Sequence, residues 1–316
     1  QALRPPHRYA TVGNNLLGWP VMLFQIRHIT HYKYAQRVTR CYNMAHIIPR
    51  DTDRQKCMSN QVSISPQPTT TMHRRDYFGN NAYHFEIQDP HTELVITAES
   101  DIQIADHDIE LDLDLAASYD EVLEYLRGII SPDTIEAREF LLNSPMIECS
   151  EALEDYARPS FQSGRSLKAC VSNLTSRIFN DFAYDPNFTT IATPLASVLE
   201  HKRGVCQDFA HLQIGCLRSM GIPAKYVSGY IETLPKPGEK KLVGVDATHA
   251  WIAYFSPNEG WVEYDPTNNT AANRQHIVTA FGRDYLDVTP VKGVIFGGGD
   301  SPLLEVSVDV KRLESR

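Results

Sequence analysis

The stretch Gly204-Val205-Cys206-Gln207-Asp208-Phe209-Ala210-His211-Leu212 decides how this chain is read. Its polar start runs into an apolar helical pattern that continues to Gly221, a residue type that favours helix ends. Cys206 therefore falls where a helix begins. Unpaired backbone N–H groups and the positive end of the helix dipole favour a thiolate there, and the thiolate is the nucleophilic form of cysteine. The same amides can face the oxygen of a tetrahedral intermediate, so one structural choice serves both activation and oxyanion stabilisation.

A thiolate nucleophile needs a partner that takes a proton and later returns it to a leaving amine, and histidine suits both roles near neutrality. Thr248-His249-Ala250-Trp251 opens an aromatic β-run that ends near Phe255. After turn signals at Pro257-Asn258-Glu259-Gly260 comes Trp261-Val262-Glu263-Tyr264-Asp265-Pro266. Antiparallel pairing of these runs brings Asp265 opposite residue 251 or 249, depending on a register the turn leaves open. Cys206, His249 and Asp265 are thus the candidate nucleophile, base and orienting carboxylate. Gln207, beside the nucleophile, is a candidate substrate contact. Trp251 reads as a core aromatic and as a candidate wall of an acyl pocket. Asp208 reads as a brace for the nucleophile loop or a helix cap, and His211 as a packed residue on another face of the helix.

The spacing of Cys206, Asp208, His211 and His249 matches no recurrent ligand pattern, so neither a metal nor another cofactor is expected. His28 and His31 fall on opposite faces of a strand, which removes them as a ligand pair. The remaining cysteines, at 41, 57, 149, 170 and 216, form no CxxC pair and are too sparse for a disulfide framework. They read as small core residues of a protein in a reducing compartment, and the expected location is cytoplasmic.

Of the 316 residues, 42% are hydrophobic and 22% charged, the composition of an ordinary globular chain long enough for two domains. A net charge of -9 argues against nucleic acid or an anionic membrane as the main partner. A peptide or protein substrate is the expected partner, and composition leaves the oligomeric state open. The apolar stretch from Leu16 to Ile26 is too short to span a bilayer.

Residues 1–21 lack periodicity and read as an appendage, with the compact fold starting at Met22. Alternating runs such as Phe24 to Thr30, Gln61 to Pro66, Ala82 to Ile87, Leu94 to Ala98 and Ile102 to Ile104 predict an N-terminal β-sandwich over 22–105. An acidic stretch, Asp106 to Asp114, then leads into helical patterns at Asp120 to Ile129, Thr134 to Leu142 and Ser150 to Tyr156, read as a helical connector over 106–165. The catalytic domain is assigned to 166–316. It opens with a helix over Leu167 to Phe179 capped by Ser166 and carries a loop rich in Pro, Gly and Lys around 235–241. It closes with a hairpin around Gly297-Gly298-Gly299. The fold class is α+β.

The order and spacing of four segments resemble the transglutaminase-like superfamily, in its bacterial branch with an N-terminal β-domain. They are Gly204 to His211, Pro223-Ala224-Lys225-Tyr226-Val227-Ser228-Gly229-Tyr230, Asp246 to Trp251, and Trp261 to Asn268. The resemblance reaches upstream to Asp76-Tyr77-Phe78-Gly79-Asn80 and Phe182-Ala183-Tyr184, and downstream to Gly282-Arg283-Asp284-Tyr285. Lys225 stands where an arginine is more familiar, which alters a local ion pair. The resemblance implies a papain-like core of helices packed on an antiparallel sheet, a thiolate attacking a carboxamide or peptide carbonyl, and Tyr184 as a candidate shaper of the substrate groove. Hydrolysis is the expected outcome, with transfer to an amine as the alternative. A binding module that has lost turnover is disfavoured, because all three triad candidates are present.

Overall fold

The computed structural model describes residues 21–105, 117–190, 193–233, 247–257 and 259–313. The readings for residues 1–20, the acidic stretch and the loop at 235–241 lie outside the described residues.

The N-terminal region is built on one very long strand, β1 (Val21–Ala45), followed by β2 (Gln55–Ser65), β3 (Thr70–Arg75), β4 (Asn81–Ile87) and β5 (His91–Ala105). Pairing along β1 breaks between Lys33 and Val38, and each half of the strand has its own neighbours. The first half pairs with β5, which in turn pairs with β2, and the second half pairs with β4, which pairs with β3. The sheet is therefore continuous but curls into two layers. Leu94 and Ile96 of β5 and Val62 and Ile64 of β2 meet Val38, Cys41, Phe85 and Ile87 across the core between them. Every residue of β3 is exposed, so this strand carries no alternation to read from sequence.

Four helices follow: α1 (Tyr119–Gly128), α2 (Pro132–Glu139), α3 (Glu151–Ala157) and α4 (Leu167–Asp181). After them come β6 (Ala183–Tyr184), α5 (Leu195–His201), β7 (Arg203–Gly204) and α6 (Cys206–Ser219). Serines 118, 131, 150 and 166 cap α1 to α4 by accepting a first-turn N–H. The strands of a second sheet are β8 (Ala224–Ile231), β9 (Ala247–Ser256), β10 (Gly260–Asp265), β11 (Thr270–Ala271) and β12 (His276–Gly282), in the order β11-β10-β9-β8-β12. Then come α7 (Tyr285–Val288), β13 (Val291–Gly297) and β14 (Leu303–Leu313).

Two boundaries differ from the sequence reading. The helices assigned to a connector are not a spacer. Val122, Leu126, Ala137, Ile147, Leu153 and Ala157 share one apolar core with α4, α6 and the second sheet, so the catalytic unit reaches back to residue 117. Nor is the chain end a hairpin of the catalytic domain. β13 pairs antiparallel with Val38 to Ala45 of β1, and β14 pairs antiparallel with Leu23 to Lys33 of the same strand. The two run end to end along the N-terminal sheet. Glycines 297 to 299, all at positive φ, turn the chain where β1 itself breaks register, and a Cβ on Gly297 would meet the Arg37 carbonyl at 2.5 Å. Period-2 patterning predicts strands correctly here but not their partners, because pairing is a tertiary choice.

The two units share a tight junction. Phe24, Ile26, Ile102, Ile104, Val308 and Val310 of the β-domain bury Tyr230 of β8 and Ile277 of β12. Where β12 bulges at the edge of its sheet, side-chain amides of the β-domain complete its hydrogen bonding. Gln55 pairs with the N–H and C=O of Val278, and Asn80 with those of Phe281, all at 2.7–2.9 Å. Thus Asn80, at the end of the Asp76 to Asn80 segment, caps a sheet edge. Lys225 is buried beside this junction, its Nζ 3.9 Å from the Trp261 ring centre and 4.2 Å from that of Phe281. The arginine-to-lysine difference thus leads to a cation–π contact, with no carboxylate within salt-bridge distance among the described residues.

Candidate active site

The candidate nucleophile is positioned by α6, the central helix of the second unit, buried from Asp208 to Arg218 and packed against β8 and β9. Cys206 is its first residue and half-buried, following Val205 in extended conformation. Asp208 Oδ2 accepts the Val205 N–H at 2.8 Å, which holds the turn into the helix. Asp208 is itself buried, and burial raises its pKa against the opposing hydrogen bonds from Val205 and Thr189. Gly204 is required by this arrangement, since a Cβ there would lie 2.7 Å from the Asp208 Cβ. The first-turn N–H groups of α6 have no partners within the helix and are available to an oxyanion.

β9 and β10 supply the other two groups. Their register pairs Tyr264 with Ile252, so continuation sets Asp265 opposite Trp251, the first of the two alternatives the turn left open. Asp265 reaches diagonally to His249, with Oδ2 2.8 Å from Nε2. Nε2–H donates to the carboxylate, and the ring's other nitrogen remains for the Cys206 thiol, with which His249 is also hydrogen-bonded. His249 is 8% exposed and Asp265 0%. Burial disfavours the imidazolium, but the hydrogen bonds to Asp265 and Cys206 and their negative charges outweigh it and raise the His249 pKa to about 10. For Asp265 burial likewise opposes ionisation, and His249 and His276 overcome it, holding the carboxyl well below its usual range.

Asp265 is more heavily anchored than the sequence suggests. Its Oδ1 accepts the backbone N–H groups of Thr267 and Asn268 at 2.9 and 3.2 Å, in the turn that ends β10. Its Oδ2 accepts the Asn268 side-chain amide at 2.6 Å and His276 Nε2 at 3.1 Å. His276 carries no local signal beyond being a lone histidine ahead of an apolar strand, and only the register of β12 brings it here.

The candidate substrate contacts divide. Tyr184 pairs alongside Gly204, is 58% exposed, and feels the charges of Cys206 and Asp208, which place it at the mouth of the site. Gln207 is half-buried beside the nucleophile. Trp251 requires a correction. It is 0% exposed, its Nε1–H donates to Glu263 Oε2 at 2.7 Å and its ring stacks on His249 at 5.9 Å, so it braces the base and cannot touch a substrate. His211 lies away from the triad, its Nε2 accepting the Tyr285 N–H at 3.1 Å.

Among the described residues, one cluster has metal-ligand spacing: His249, Asp265 and His276. Its hydrogen bonding does not suit a cation. The Asn273 N–H donates to His276 Nδ1 at 3.2 Å, His276 Nε2–H points at Asp265 Oδ2, and the Asn268 amide already points into the same oxygen. The residues of the sequence-derived metal set are likewise committed elsewhere, Asp208 to Val205 and His211 to Tyr285.

Residues 24–103 match the bacterial transglutaminase-like N-terminal region, and residues 154–266 match the transglutaminase-like superfamily core, a range that includes the candidate residues Cys206, His249 and Asp265. An uncharacterised protein of Mycobacterium tuberculosis is 37% identical over 295 residues, spanning 92% of this chain and 93% of its own length. The chain belongs to the transglutaminase-like superfamily. A second mycobacterial relative, from Mycobacterium leprae, is 32% identical over 92% of this chain and 98% of its own. A candidate cysteine protease from Cytophaga hutchinsonii shares the fold, with a TM-score of 0.73 at 19% identity over 94% of this chain and 92% of that one. A protein-glutamine gamma-glutamyltransferase of Pseudomonas aeruginosa is 29% identical over 137 residues, 40% of this chain and 20% of its own. In this transglutaminase-like chain, no helix among the described residues is long and apolar enough to cross a membrane.

Proposed function

We propose that this protein is a cysteine-dependent amidase or peptidase that cleaves an amide bond of a peptide-like substrate through an acyl-enzyme. The observation that carries the reading is His249 held in burial between Cys206 and the fully anchored Asp265. The Cys206 thiolate attacks the carbonyl carbon, and α6 amides hold the oxyanion. His249 gives its proton to the leaving amine as the thioester forms, then takes one from the water that attacks the thioester, so that the C–S bond breaks, the carboxylic acid leaves and the thiolate beside a protonated His249 is restored. The mechanism needs no cofactor. Free cysteines throughout the described chain support a reducing, cytoplasmic setting.

The test incubates the protein with glutamine-containing peptides, with and without a labelled primary amine, beside the Cys206→Ala variant. Ammonia or shortened peptide that depends on Cys206, without label uptake, supports hydrolysis. Cys206-dependent label uptake moves the assignment to transamidation, the chemistry named for the Pseudomonas relative. Peptide binding with no Cys206-dependent product points to a binding module.

A further inference from the structure

His249 Nε2 and His276 Nε2 approach the same atom, Asp265 Oδ2, at 2.8 and 3.1 Å. A carboxylate oxygen only accepts, so both rings present an N–H to it. His276 is 2% exposed and fixed on its other side, where Nδ1 lies 3.2 Å from the Asn273 N–H. The Trp251 ring packs edge-on against it at 5.1 Å, and the His249 ring centre is 6.2 Å away. Three strands, β9, β10 and β12, thereby converge on one oxygen.

We infer that His276 is a positioning residue, whose hydrogen bond to Asp265 sets both the direction and the strength with which that carboxylate holds His249. The reaction it serves rests on the proposed function, but the hydrogen-bonding role does not.

An oxygen that accepts from His249, His276 and the Asn268 amide spreads its negative charge over three donors. Withdrawing one donor concentrates that charge on the other two, so the His249 proton is held more tightly and given up less readily to a leaving group. Withdrawing it also frees the carboxylate to rotate. The titratable or charged groups facing His276 are Asp265 from β10 and His249 from β9. Glu263 is linked through the Trp251 indole, and Cys206 reaches it only through His249.

The test uses the full chain with His276→Leu, which removes the N–H, and His276→Gln, which restores one. Histidine NMR follows loss of the His249 proton, which, against burial, Asp265 and Cys206 should hold up to about 10 in the parent. In His276→Leu that midpoint rises by half a pH unit or more, and kcat falls about tenfold with KM little changed. His276→Gln returns both to within about threefold of the parent. A parent-like midpoint and kcat in the Leu variant overturn the inference, as does a Gln variant as impaired as Leu, which would mean that ring packing is what matters. If His276→Leu does not fold, the Gln variant decides: near-parent values support the role and a larger loss overturns it. The NMR midpoint needs no substrate, so failure of the amidase reading leaves this result readable.

Discussion

Two buried histidines of this molecule are driven in opposite directions. At the domain junction, His28 is 1% exposed, with Nδ1–H donating to the Tyr230 hydroxyl at 2.8 Å and Nε2 2.9 Å from Thr30 Oγ1. The Tyr230 hydroxyl passes its own proton to the Ile47 carbonyl at 3.1 Å. All its partners are neutral, and burial pushes its pKa down to about 4. His249 is nearly as buried, yet is raised to about 10 because Asp265 and Cys206 lie against it. Burial alone selects the neutral ring, which suits a structural joint. Burial with an anchored carboxylate selects the imidazolium, which a thiolate nucleophile requires.

The largest way to break the contrast is Asp265→Asn, which keeps the shape and removes the charge. Burial is then opposed at His249 by Cys206 alone. Its titration midpoint, followed by histidine NMR, falls well below about 10, toward the side on which His28 lies. Turnover of the best peptide found falls by about 10⁴-fold, the scale expected when an orienting carboxylate is neutralised. An unchanged midpoint would show that Asp265 does not hold the proton.

The next test titrates the fold. His28 and His211 each have a folded pKa of about 4 against 6.5 unfolded, so the unfolded chain binds the extra proton. Their neutral burial contributes fully above pH 6.5 and is lost as pH falls toward 4, by about 3 kcal/mol each. His249 has the opposite sign, contributing below pH 6.5 and losing that contribution as pH rises through about 10. Urea unfolding across pH 4 to 10 should therefore give greatest stability near neutrality, with a steep acid limb. A flat profile between pH 6.5 and 4 would refute the neutral burial of both rings.

The smallest effect sharpens the junction alone. Tyr230→Phe leaves the His28 N–H and the Ile47 carbonyl without partners, at a cost of about 2 kcal/mol in urea unfolding. The His249 midpoint should not move, since the junction and the active site are separate networks.

Much of the candidate site is legible in the sequence because its parts are local. A helix start at Cys206, a strand start at His249 and a strand end at Asp265 are each written in a few adjacent residues, and one short turn links the last two. Asp208 could be read as a brace because a cap lies three residues from the amide it satisfies. Trp251 reads both as a core aromatic and as a pocket wall, and only the first holds, because an aromatic beside a candidate catalytic residue looks the same in sequence whether it faces a groove or the core.

His276 was invisible for a related reason: it is 27 residues from His249 and meets Asp265 only through the pairing of β12 with β8. The ends of the chain show the same limit. Alternating residues determined a strand at Phe24 to Thr30 and strand character from Val291 to Val310, and a glycine run determined a turn within the latter; that β1 continues unbroken to Ala45 is not written locally. That both β13 and β14 lie along β1, closing the N-terminal sheet with the C-terminus, was decided by tertiary structure. Local propensity depends on neighbours a few residues away, whereas strand partnership depends on which apolar faces bury each other, and that is settled only when the whole chain packs.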